Sequence, residues 1–140
     1  MEPAIERPDV DREFLTPERC WILETWNTAG DAYVSIARAR VEAGETTQLH
    51  SLSVDERYLI VAGRGSMTLG MGAGAEVGPG DVVAIPAGTP QQIRNDTNES
   101  LIFYAICSPR FTPSAYRNLE DEESGPRRET TNDWIKDNPK

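Results

Sequence analysis

A chain of 140 residues, 38% hydrophobic and 26% charged, is sized and composed for one globular domain with a single core. Its formal charge of −9 repels phosphate backbones and argues against nucleic acid or anionic membrane surfaces as partners. No apolar run approaches the roughly 20 residues of a membrane span.

In chain order, residues 1–18 are polar and acidic and lack the basic and apolar regions of an export signal, which fits a cytoplasmic protein. Thr16-Pro17-Glu18 reads as the start of one short helical turn. Alternation and β-branched or aromatic content then predict strands over residues 19–27, 33–41, 48–52, 57–62, 66–69, 81–86, 91–95 and 101–108. Nine of the 11 glycines fall between Gly44 and Gly88 and punctuate these stretches. Strands spaced roughly 8–12 residues apart, with no helical period between them, predict an all-β sandwich or small barrel. The segment Gly70 to Ala75 satisfies a dinucleotide-loop pattern, but Gly78-Pro79-Gly80 stands where the helix would have to begin, so it reads as a hairpin tip. From Phe111 onward the chain is charged, yet Tyr116, Leu119, Trp134 and Ile135 are costly to leave in water. Part of this segment is expected to fold back over the barrel or onto a partner subunit. The plan is an N-terminal arm over 1–18, a barrel over 19–110 and an extension over 111–140.

Two stretches concentrate chemistry. Gly44, His50, Glu56 and Gly63 frame the first, which holds the chain's only histidine. Gly80, Pro86, Gly88 and Asn95 frame the second. Together they resemble the two signature motifs of the cupin superfamily over roughly residues 33–110. The resemblance implies a double-stranded β-helix, or jelly roll, with both motifs lining one mouth of the barrel. It also implies a divalent metal held by three histidines and a glutamate. Here Leu52 stands at the second histidine's position and Gln91 at the third's, which leaves His50, Glu56 and the amide of Gln91. One nitrogen and two oxygens suit Zn²⁺ poorly and Mn²⁺ or Fe²⁺ somewhat better. The expectation is a weakly held divalent metal or none.

Strand alternation puts His50 and Leu52 on one face, and Glu56, Tyr58 and Ile60 on one face. By the resemblance this is the barrel interior, joined by Gln91 and Ile93. These residues read either as satisfied core groups or as a small-molecule pocket. Two functions follow. One is a binding module for a small organic ligand. The other is an enzyme, either a metal-dependent oxygenase or an isomerase, lyase or cyclase using His50 and Glu56 as an acid–base pair. Arg38 and Arg40 share a strand face and would anchor an acidic ligand if turned inward. Cys20 and Cys107 stand far apart and read as free thiols, with nothing local to activate Cys107 as a nucleophile. Trp21, Trp26, Trp134 and the outer face of the 59–61 strand exceed what one small barrel interior absorbs, so a homodimer is expected.

Overall fold

The computed structural model describes residues 1–120 and consists almost wholly of antiparallel β-structure. The strands are β1 (Phe14–Leu15), β2 (Trp21–Trp26), β3 (Ser35–Val41), β4 (His50–Leu52), β5 (Asp55–Ala62), β6 (Gly65–Leu69), β7 (Ala75–Val77), β8 (Val82–Ile85), β9 (Gln91–Arg94), β10 (Leu101–Ser108) and β11 (Tyr116–Asn118). A six-stranded sheet runs β1-β2-β3-β10-β5-β8 and a five-stranded sheet runs β11-β4-β9-β6-β7. Pairing of β3 with β10 and of β4 with β9 crosses the chain over itself and makes a double-stranded β-helix. Among the described residues no helix is long and apolar enough to cross a membrane. Trp134 and Ile135 lie outside the described residues.

β5 shows how the sequence assigns faces. Glu56, Tyr58 and Ile60 are buried while Asp55, Arg57, Leu59 and Val61 point outward, as the two-residue period of a strand requires. Register places Tyr58 opposite Val83 and Ala105, and Glu56 opposite Ile85 and Cys107. Val41, Ile60, Met67, Ile93, Leu101 and Phe103 pack into one core between the sheets. Gly63 is needed where β5 turns into β6. Its φ is 79°, and a Cβ there would sit 2.4 Å from the Ser100 carbonyl oxygen. Asn95 donates to the carbonyls of Val41 (3.0 Å) and Glu99 (2.7 Å) and accepts from the Thr97 amide (3.0 Å), closing the loop before β10. Both motif residues therefore serve the fold.

All eight expected strands form, and β5 and β6 start two and one residues early. The expected helical turn at Thr16-Pro17-Glu18 is instead a tight bend. Thr16 bonds back to the Cys20 carbonyl through both its amide (3.0 Å) and its hydroxyl (2.8 Å), and Arg19 takes a left-handed φ of 66° that ends any helix. The only turn of 3-10 helix in this arm spans Val10–Arg12, where the Asp9 side chain accepts from the Asp11 amide. β1, β7 and β11 were not expected. Each has only two or three residues, too short for alternation to register.

Arg38 and Arg40 point away from the interior. Glu13 of the N-terminal arm bridges them on the outer face of β3, at 2.5 Å from Arg40 Nη2 and 3.3 Å from Arg38 Nη2. These contacts, chiefly the one with Arg40, hold the Glu13 carboxyl below the usual carboxylate range.

Candidate functional site

Between the sheets lies a cavity of about 60 Å³. It exists because β3 (Ala37, Ala39), β10 (Ala105, Cys107) and the residue before β2 (Cys20) present small side chains there. Around that space stand Glu18, His50 and Glu56, with the rings of Tyr58, Phe103 and Tyr116.

His50 opens β4 and is buried. Its Nδ1 lies 2.7 Å from the Gln48 carbonyl oxygen. A carbonyl only accepts, so Nδ1 carries the hydrogen and the neutral ring keeps Nε2 as a free acceptor. The imidazole stacks on Tyr116 at 4.8 Å and 13°, and burial lowers its pKa. Tyr116 in turn donates to Gln48 Oε1 at 2.6 Å. β11 therefore closes the edge of β4 and supplies the surface against which His50 rests.

Glu56 enters from β5. Gln91 Nε2 donates to its Oε1 at 2.9 Å, and the Cys107 thiol donates to Oε2 at 3.9 Å. Burial dominates and raises its pKa to about 7; His50 and the Gln91 bond act against that rise, and Glu18 adds to it. Burial, with Glu56 next, also pushes the Cys107 thiol up, so it is no nucleophile at neutral pH. Cys20 is likewise buried with a raised pKa.

Glu18 was not anticipated. It sits on the bend between β1 and β2, its carbonyl accepts from the Gln48 amide at 2.9 Å, and its carboxylate stands 3.7 Å from His50 Nε2. Burial raises it to about 7, with Arg19 opposing. Its position in a polar arm next to a proline gave no sequence signal. The only cue was that Thr16-Pro17-Glu18 interrupts the arm just before a strand.

Of the expected pocket residues, Leu52 and Tyr58 line the cavity, as do His50 and Glu56. Ile60, Gln91 and Ile93 do not. Ile60 and Ile93 face inward but belong to the packed core, at 1% exposure each. Gln91 is fully buried and braces the wall, accepting from the Tyr58 hydroxyl at 2.5 Å while donating to Glu56.

That bracing decides the fit of a metal. The amide oxygen of Gln91, the third candidate ligand, is occupied by the Tyr58 hydroxyl. Leu52 offers no ligand atom and packs against Cys107 and Tyr116. Among the described residues no three His, Cys, Asp or Glu side chains group as a metal site. The donor set does not fit a tightly held divalent metal.

The chain matches a family model described as a cupin domain over residues 37–107, just over half its length. Its fold is similar to an RmlC-like cupin family protein with a double-stranded β-helix fold from Methanocaldococcus jannaschii, at 19% identity and TM-score 0.63, covering 79% of this chain and 94% of that one. It is also similar to a polyketide cyclase from Streptomyces resistomycificus, at 20% identity and TM-score 0.64, covering 85% and 86%. Oxalate decarboxylase from Bacillus subtilis superposes with TM-score 0.75 at 16% identity, covering 91% of this chain but 35% of that enzyme. At these identities the likeness is one of fold. No curated protein matches the sequence.

Proposed function

Since the chain belongs to the cupin domain family, we propose that it holds a small organic molecule in the barrel cavity, against Glu18, His50 and Glu56, without a tightly held divalent metal. One observation carries this: a few ionisable side chains converge on an otherwise apolar and aromatic space. A core needing only stability would fill that space with aliphatic groups, because buried carboxyls cost free energy unless something binds them. The solved relatives include two enzymes, but one fold hosts many activities, so the site and not the fold carries the proposal.

A specific observation favours proton transfer as the second reading. Two carboxyls that titrate near neutrality flank a neutral imidazole whose Nε2 is free to accept. An isomerase, lyase or cyclase step would use such a set. A metal-dependent oxygenase would not, given the donors present.

Ligand-observed NMR with a library of small acids, amines and alcohols tests binding, and at least one chemical class is expected to bind and raise the melting temperature. A library without a binder would count against it. Deuterium appearing at a carbon of the bound molecule in D₂O, and lost in His50→Gln, would move the proton-transfer reading ahead.

A further inference from the structure

The cavity has a one-sided hydrogen-bonding inventory. Its hydroxyl and ring donors are engaged: Tyr58 on Gln91 Oε1 (2.5 Å), Tyr116 on Gln48 Oε1 (2.6 Å), Thr47 on the Ile93 carbonyl (3.3 Å) and His50 Nδ1 on the Gln48 carbonyl (2.7 Å), while the Ser35 hydroxyl bonds with Cys107 and accepts from the Phe111 amide at 2.9 Å. Once the carboxyls are ionised, what faces the space is acceptor: His50 Nε2, Glu18 and Glu56 Oε2, the last also taking the Cys107 thiol at 3.9 Å. Glu24 adds a third carboxylate to the lining, and no lysine or arginine lines it among the described residues. Nearby bases are turned elsewhere. Arg19 reaches the Thr46 carbonyl and Glu120 at 2.8 Å each, Arg38 and Arg40 hold Glu13 outside, and Arg110 Nε donates to Asn27 at 2.8 Å.

Glu18 supplies an independent pointer to a ligand. It keeps only 9% of its surface exposed, and its carboxylate stands 3.7 Å from His50 Nε2, beyond ordinary hydrogen-bond reach. Once ionised, a largely buried carboxyl with so distant a partner gains from any donor that can reach it.

We propose that the ligand of this cavity is a small organic cation whose ammonium or amidinium end donates to Glu18 and Glu56 and whose apolar part packs on the rings of Tyr58, Phe103 and Tyr116; this rests on the cavity being a binding site. An alkylammonium brings up to three donors to a site that lacks them. A carboxylate ligand brings acceptors and like charge to a site already rich in both. This class differs from the dicarboxylate named for the oxalate-decarboxylating relative.

The charge balance gives the site a pH signature. Glu18 and Glu56 titrate near 7, with Arg19 pulling Glu18 down, His50 and Gln91 pulling Glu56 down and Glu18 pushing Glu56 up; Glu24, Glu120, Cys20, Cys107, Tyr58 and Tyr116 are further ionisable groups nearby, and burial pushes both tyrosines up. The amine stays charged throughout this range. Raising the pH strips protons from the two carboxyls and should tighten the cation.

The size-matched set propylammonium, propionate and propanol separates the possibilities, with affinities measured by saturation-transfer NMR on the full chain. Propylammonium is expected to bind about tenfold or more tighter than the other two near pH 8 and to weaken toward pH 6. Glu18→Gln should lose about tenfold, and Glu56→Gln provides the same test if Glu18→Gln melts far below wild type. Tighter propionate or propanol would overturn the cation assignment and leave the cavity a binding site. Failure of all three would also overturn it, and a broad fragment library without a binder would remove the binding site itself.

Discussion

Glu56→Gln isolates the cost of burying a carboxyl in this barrel. In the folded chain Glu56 titrates near 7 instead of 4.5, chiefly because burial disfavours its charge. Between those values the native state keeps a proton that the unfolded chain has lost, so stability falls as pH rises through the window. At about 1.4 kcal/mol per pH unit, the loss for this group reaches about 3 kcal/mol by pH 8. Glutamine can keep the bond from Gln91 Nε2 to the Oε1 position, and it never ionises. Wild type and variant should therefore match within about 1 kcal/mol near pH 4.5, and the variant should be more stable by about 2–3 kcal/mol near pH 8. Urea denaturation at a series of pH values reads this directly. The difference between the two proteins cancels the carboxyls that do not interact with Glu56; Glu18, which pushes Glu56 up, is coupled to it and contributes to the difference. A difference that stays flat from about pH 5 to 8, or a variant less stable at the alkaline end, would refute the reasoning.

Leu52→His should place a nitrogen beside His50 and Glu56 and create a metal-dependent rise in melting temperature with Mn²⁺ or Fe²⁺, while wild type shows little; a strong wild-type rise by differential scanning fluorimetry would contradict the donor analysis. Glu13→Gln should cost about 1–2 kcal/mol near neutral pH by weakening the bridge to Arg38 and Arg40. Glu13 has a lowered folded pKa, so this contribution is present above its unfolded value and fades as pH falls through the folded one; urea melts that show equal losses in acid and at neutrality would count against it. Phe103→Ala, at a side chain 2% exposed, should cost about 3–5 kcal/mol and open the cavity, measurable by thermal or urea unfolding. The homodimer expected from the sequence, built on the strand carrying Trp21 and Trp26 with the outer face of the 59–61 strand as further apolar surface, should appear by light scattering and be weakened by Val61→Asp, since Leu59 and Val61 point outward; a wild-type monomer at high micromolar concentration would count against it.

The barrel was legible because its strands obey a two-residue period and its turns fall at glycines such as Gly63, where backbone sterics leave little choice. His50, Glu56, Leu52 and Tyr58 could be placed on the interior by the same period. What the period could not give was depth along the barrel axis. Ile60 and Ile93 share the inward face with Tyr58 and His50, yet they lie in the packed core, because distance from the cavity depends on how the sheets close and not on which way a side chain points. Spacing shows where the Gln91 amide stands but not that its oxygen accepts from the Tyr58 hydroxyl. Glu18 and the strand at Tyr116–Asn118 escaped notice for a related reason. Their places are fixed by long-range pairing, Glu18 through the Gln48 amide and Tyr116 through β4, and no local pattern encodes those partners.

The chain holds a single histidine, so the ring nitrogens of His50 give one unambiguous signal in a long-range ¹H–¹⁵N spectrum. Free protein should show a neutral ring with hydrogen on Nδ1, and adding a bound small molecule, metal-free, should shift the Nε2 resonance that faces the cavity. An Nε2 signal that no bound molecule moves, or that moves only when a divalent metal is added, would contradict a ligand seated beside His50 without metal.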